Sequence, residues 1–245
     1  MLQPKKYLYI VNFVLLFVLL AMPILNQAVL AQSKEMMGMH HSGFLNRLTN
    51  IRLGGGGDAK LTGDLAQDAA SLAISRGVPQ VYGQELGVSF DDVQISMDIM
   101  KQFDPTYGNK KIVLAGEDLK RYIDVGMRIA CEYCCGVKSL ISKDGEAACG
   151  CAHSQAMRGL AAYLIQNHTK EHSNDQILRE LARWKGRFFP KQMTKKVGEQ
   201  MQSGQFTPDV ASLLLDLKLP KYSASSKAAP LPSDIKDAPG MVGGC

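Results

Sequence analysis

Aromatic residues are scarce in this chain, at 7% with a single tryptophan, and no segment concentrates charge of one sign. A formal net charge of +5 spread among acids, with so few rings to stack on bases, gives no case for nucleic acid as a partner. The chain also has no Ser/His/Asp arrangement and no convincing motif of paired carboxylates. The run Gly54-Gly55-Gly56-Gly57 lacks the Lys-Ser/Thr that a phosphate loop needs. Hydrolase and nucleotide-binding readings therefore have no footing, and no internal repeat is visible.

Long apolar runs are equally rare. The one from Tyr7 to Leu25 follows Lys5 and Lys6 and precedes Ala28-Val29-Leu30-Ala31, with small residues where a signal peptidase reads. Residues 1–31 are thus expected to be a signal peptide cleaved after Ala31. The run can also span a bilayer, so membrane association enters only if the segment stays as an uncleaved anchor. No cysteine follows it, which excludes a lipoprotein signal. The expected location is exported: periplasmic, extracellular or anchored at the cell surface.

Beyond the signal, residues 32–57 are rich in Met, His and Gly without periodicity and read as a flexible linker. Residues 58–219 predict one mainly α-helical, cysteine-rich domain, and 220–245, rich in Ser, Ala, Pro and Lys, a disordered tail. Helices are predicted over 60–75, from Ser89-Phe90-Asp91-Asp92 to Phe103, and from Glu117-Asp118 into the cysteines. Further ones follow from Ser154, from Ser173 to Pro190 with Gln176 completing a capping box, up to Gly204, and from Thr207-Pro208. Lys111 to Leu114 suggests a short strand, and Lys143-Asp144-Gly145 a turn between Leu140-Ile141 and Ala147-Ala148. Trp184 and Met157 read as core residues, and His168 and His172 as partners of a helix C-terminus.

What the chain does have in excess is cysteine in one place. Five of its six cysteines fall in Cys131-Glu132-Tyr133-Cys134-Cys135 and Cys149-Gly150-Cys151-Ala152-His153. If the third helix persists to Gly136, Cys131, Cys134 and Cys135 share one face and continue an apolar stripe from Met127 and Ala130. The turn at Lys143-Asp144-Gly145 would bring Cys149 and Cys151 back towards them. In an extended segment, Cys149, Cys151 and His153 would lie on one side of the backbone. The helix that follows would stabilise thiolates through its N-terminal dipole.

Tetrahedral zinc needs four N/S ligands. Cys131, Cys134, Cys135, Cys149, Cys151 and His153 are the candidates, and thiolate excess suits Cu(I) as well as zinc. An iron–sulfur cluster is chemically allowed but fits an exported unfolded chain less well. Met36, Met37, Met39, His40 and His41 could add copper ligands, although a solvated linker explains them too. Two rival readings remain: a disulfide-stapled extracellular interaction domain, and a thiol–disulfide oxidoreductase. A thioredoxin-like role lacks the βαβ surroundings, and Cys135 occupies the position that covalent haem attachment gives to histidine. Cys245 is open to ligation, to pairing with an unpaired thiol or to an intermolecular crosslink.

The fragments Glu132-Tyr133-Cys134-Cys135-Gly136 and Cys149-Gly150-Cys151-Ala152-His153 resemble the exported bacterial proteins named for a PCYCGC motif, in which a tight Cys/Gly cluster precedes histidine. Here the motif is split in two and lacks the proline. The resemblance implies an exported cysteine-rich domain with metal-binding capacity, and no reaction.

Overall fold

The computed structural model describes residues 61–222 and 233–244. The expected signal peptide, the Met/His/Gly-rich lead-in and Cys245 lie outside these residues. The described chain is mainly helical, as its periodicity predicts. Among the described residues, no helix is long and apolar enough to cross a membrane.

Helix α1 (Leu65–Ala73) starts because the Asp64 carboxylate accepts from the amides of Ala66 and Gln67 at 2.9 and 3.0 Å, satisfying two donors that a helix start leaves orphaned. A one-turn helix α2 (Gly83–Leu86) and helix α3 (Val93–Met100) follow, and α3 tightens into a 3₁₀ turn at Lys101–Phe103. Residues 111–115 cross to α4 (Gly116–Met127) without regular structure and pair with no strand among the described residues. The Ile112 amide instead meets the Phe103 carbonyl, so the expected strand is a connector.

α4 also stops earlier than the sequence suggests. The carbonyls of Gly126 and Ile129 both accept from the Leu140 amide at 3.0 Å, which takes the Gly126 acceptor a continuing helix would need for residue 130. Met127, expected on a buried stripe, is exposed while Ala130 is buried, and the cysteines begin a separate turn, α5 (Glu132–Cys135), closed by left-handed Gly136.

Residues 140–148 make the expected reversal. Ile141 pairs antiparallel with Ala147, the Ser142 amide donates to the Glu146 carbonyl at 2.7 Å, and Gly145 takes the positive φ of the turn.

Helix α6 (Ala152–Asn167) is the axis of the fold. Nearly every residue from His153 to Ile165 is buried, because α3, its 3₁₀ turn, α4 and α7 (Asn174–Phe188) all pack on it. α7 opens with the capping box of Ser173 and Gln176, and Trp184 on it is fully buried, its Nε1 donating to the Tyr82 hydroxyl at 2.8 Å. Pro190 starts α8 (Pro190–Ser203), which packs on α1 and ends at left-handed Gly204, and α9 (Pro208–Leu213) lies against α7. Of the stretch expected to form a disordered tail, residues 223–232 lie outside the described residues; Ser233–Lys236 make a turn, α10, and the chain up to Gly244 returns to the helical body.

Candidate metal centre

Three pieces of backbone meet at the cysteines: α5, the end of the 140–148 hairpin, and the start of α6. The residues between the α5 cysteines hold that turn in place. Glu132 accepts from Lys185 Nζ at 2.7 Å and Lys196 Nζ at 3.1 Å, and both ammonium groups also meet Asp209. Tyr133 packs edge-on against Phe189, with ring centroids 5.4 Å apart. A four-residue helix cannot persist alone in water, so these tethers to α7, α8 and α9 determine where the thiols point.

The hairpin is fixed by a buried arginine. Arg158 and Asp104, both fully buried, form a two-pronged ion pair with Nε–Oδ1 at 3.0 Å and Nη2–Oδ2 at 2.6 Å. The remaining guanidinium nitrogen donates to the Cys149 carbonyl at 2.8 Å. Neither Arg158 nor Glu132 stands out in the sequence, because their partners lie far along the chain.

The ligand atoms of Cys131, Cys134, Cys135 and Cys151 all lie within 4.8 Å of one another. Cys131 is buried, Cys134 and Cys151 are half-buried, and Cys135 is exposed, so the cluster runs from the core to the surface. Cys131 Sγ and Cys151 Sγ are 3.7 Å apart. Cys149 is not a fifth member of this group: its sulfur forms a disulfide with Cys135.

The expected alternation of Cys149, Cys151 and His153 ends at Cys151, because Cys151 is already the N-cap of α6 and His153 lies in its first turn. His153 is buried between Phe188 and Phe189, at centroid distances of 4.9 and 5.0 Å, and its Nε2 sits 3.0 Å from the Val242 carbonyl oxygen. Its imidazole also hydrogen-bonds Cys151. It supports the cluster from the side and lies outside the four-sulfur group.

The two central thiols are electrostatically unequal. The hydrogen bond between the Cys131 and Cys151 sulfurs favours the Cys151 thiolate and outweighs the burial that opposes it; the His153 side chain and the Ser154 amide, 3.4 Å from Cys151 Sγ, add to the effect. The Cys151 thiol is thus held far below its ordinary range, while that same hydrogen bond and burial push Cys131 well above it. A thiolate at the N-terminus of a long helix also gains from the helix dipole. Comparison with protein families, with curated proteins and with solved structures found no match, so the site is read from its own chemistry.

Proposed function

We propose that the protein is an exported transition-metal-binding protein, in which Cys131, Cys134, Cys135 and Cys151 hold one ion. The observation that carries this reading is the gathering of four cysteine sulfurs within 4.8 Å. Tetrahedral zinc with sulfur about 2.3 Å away places neighbouring sulfurs about 3.8 Å apart, and the Cys131–Cys151 separation of 3.7 Å matches that edge. An all-sulfur tetrahedron favours zinc, with Cu(I) the alternative soft ion. Because the ligands run from buried Cys131 to exposed Cys135, the ion would have a solvent-facing side, which suits storage or delivery better than a closed structural site.

The test is elemental analysis of reduced protein incubated with zinc or Cu(I) and freed of excess ion. About one equivalent is expected, and the pair Cys131→Ser/Cys151→Ser should lose it. Reduced wild-type protein that holds no metal would overturn the reading. Export rests on the N-terminal apolar run followed by small residues. N-terminal sequencing of the native protein should begin at Gln32, and an intact Met1 would replace the signal with an anchor.

A second reading, thiol–disulfide exchange, is favoured by one observation: the Cys131 and Cys151 sulfurs, 3.7 Å apart, lie in the same cluster as an existing disulfide. Insulin reduction that survives metal chelation would favour exchange over metal binding.

A further inference from the structure

We propose that the Cys135–Cys149 disulfide is a redox gate on the metal site, with Cys135 serving either as the fourth metal ligand or as the partner of Cys149. The proposal rests on the metal reading above and concerns how that site is regulated. Its basis is a shared atom. The Cys135 sulfur belongs both to the four-sulfur group and to the disulfide, and one sulfur cannot be a disulfide sulfur and a thiolate ligand at once. Closing the bond leaves three sulfurs, and opening it restores four.

Two further features suit a reversible gate. Cys135 is exposed at the end of α5, so an external thiol can reach its sulfur, whereas Cys131 at the other end of the cluster is buried. The backbone on both sides is held by groups that do not depend on the bond. Arg158 fixes the Cys149 carbonyl from within the buried pair with Asp104, and Lys185 and Lys196 fix Glu132 in α5. Once reduced, the two thiols therefore remain neighbours, and reoxidation is an intramolecular step at high effective concentration.

The reductant is a dithiol. Its first thiolate attacks the Cys135 sulfur and expels Cys149 as a thiolate, giving a mixed disulfide. Its second thiol then displaces Cys135 and closes the reagent's own disulfide, so two electrons and two protons pass to the protein. A divalent ion entering the reduced site releases one proton for each ligand that was still a thiol. Oxidation by the disulfide form of the same couple reverses these steps, returns the ion to solution and regenerates the Cys135–Cys149 bond.

The test measures zinc affinity by competition with a chromophoric chelator. Disulfide-intact wild type is compared with protein reduced by dithiothreitol and desalted without oxygen. Loss of supporting groups around a metal already costs roughly 10–100-fold in affinity, so loss of a ligand should weaken the oxidised form by more than about 100-fold. Cys149→Ser, which leaves Cys135 a free thiol, should bind like reduced wild type whether or not reductant was used. Cys135→Ser should bind weakly in both conditions.

Equal affinity of oxidised and reduced wild type would remove the gate and take Cys135 out of the ligand set while leaving metal binding by Cys131, Cys134 and Cys151 intact, and this comparison needs no variant to fold. A Cys149→Ser loss as large as that of Cys135→Ser would also overturn the gate, since Cys149 would then be a ligand. Absence of zinc from reduced wild type would defeat the metal reading and the gate together.

Discussion

Gly159 and Gly186 are the residues at which a single methyl group would do the most damage. A Cβ on Gly159 would fall inside the Met100 carbonyl oxygen, where α6 crosses the end of α3, and one on Gly186 inside the Ala73 carbonyl oxygen, where α7 passes the end of α1. In both cases the obstacle is backbone and cannot rotate away. Overpacking commonly costs about 1–3 kcal/mol, and rigid obstacles place Gly159→Ala and Gly186→Ala at or above about 3 kcal/mol. Gly198→Ala is the control. It also sits inside a helix, but its Cβ would meet only the Ala69 methyl at 3.4 Å, so the gain in helix propensity should make it neutral or stabilising by up to about 1 kcal/mol. Urea midpoints of the three variants check the ordering. A mild effect of Gly186→Ala would mean that α7 and α1 do not approach this closely in solution. No sequence pattern marks these two glycines, because helical spacing shows which face is buried and not how near the opposing backbone lies.

At the scale of elements, the short cysteine turn depends on a charged cluster contributed by four helices: Glu132 of α5, Lys185 of α7, Lys196 of α8 and Asp209 of α9. Burial alone would raise the Asp209 pKa, but the ammonium groups of Lys185 and Lys196 overcome it and hold the carboxyl well below the ordinary carboxylate range. A carboxyl whose folded pKa is depressed contributes stability that is present above its unfolded pKa, about 4, and is lost as pH falls towards the folded value. Thermal midpoints of wild type should therefore drop steeply below about pH 4. Asp209→Asn should be less stable at pH 7 and show a shallower acid dependence, and identical acid profiles would exclude this pair as the cause. Lys185→Met removes the buried ammonium that Glu132 and Asp209 share but leaves Lys196 paired with both, so it should cost about 1–3 kcal/mol. The features of these elements that could be read from the sequence are the local ones. The Ser173–Gln176 cap, the turn around Gly145 and the stop at Gly204 each need only a few adjacent residues. The ion cluster joins residues as far apart as Glu132 and Asp209, and the Arg158–Asp104 pair likewise has no local signature.

At the scale of the whole molecule, the cysteines were legible as a candidate metal centre because their crowding is itself a sequence feature, whereas the pairing of Cys135 with Cys149 requires a fold to choose among connectivities. The C-terminal segment was the least legible part, since its composition holds little apolar surface and its docking uses backbone groups. Phe189 leaves helical geometry ahead of Pro190, so the Phe188 carbonyl lies free at the break between α7 and α8, and the Val242 amide donates to it at 2.8 Å. The Val242 carbonyl in turn meets His153 Nε2, and the Gly244 amide donates to the Gln94 side chain at 3.1 Å. The last described residues thus close over the imidazole that supports Cys151. Deleting residues 239–245 would strip partners from the Phe188 carbonyl and from His153, at about 1–3 kcal/mol for each buried polar group left unsatisfied. A domain of this size loses about 2–4 °C per kcal/mol, so the thermal midpoint should fall by roughly 4–24 °C. Met241→Ala, at an exposed position, and Cys245→Ser should each leave the midpoint nearly unchanged, which separates loss of the docked backbone from loss of a surface side chain or of the terminal thiol. If the deletion behaves like these two controls, the segment is not docked in solution and His153 is held by Phe188, Phe189 and its hydrogen bond to Cys151. If it destabilises as expected while reduced protein keeps its zinc, the segment belongs to the scaffold and the four sulfurs suffice for the metal.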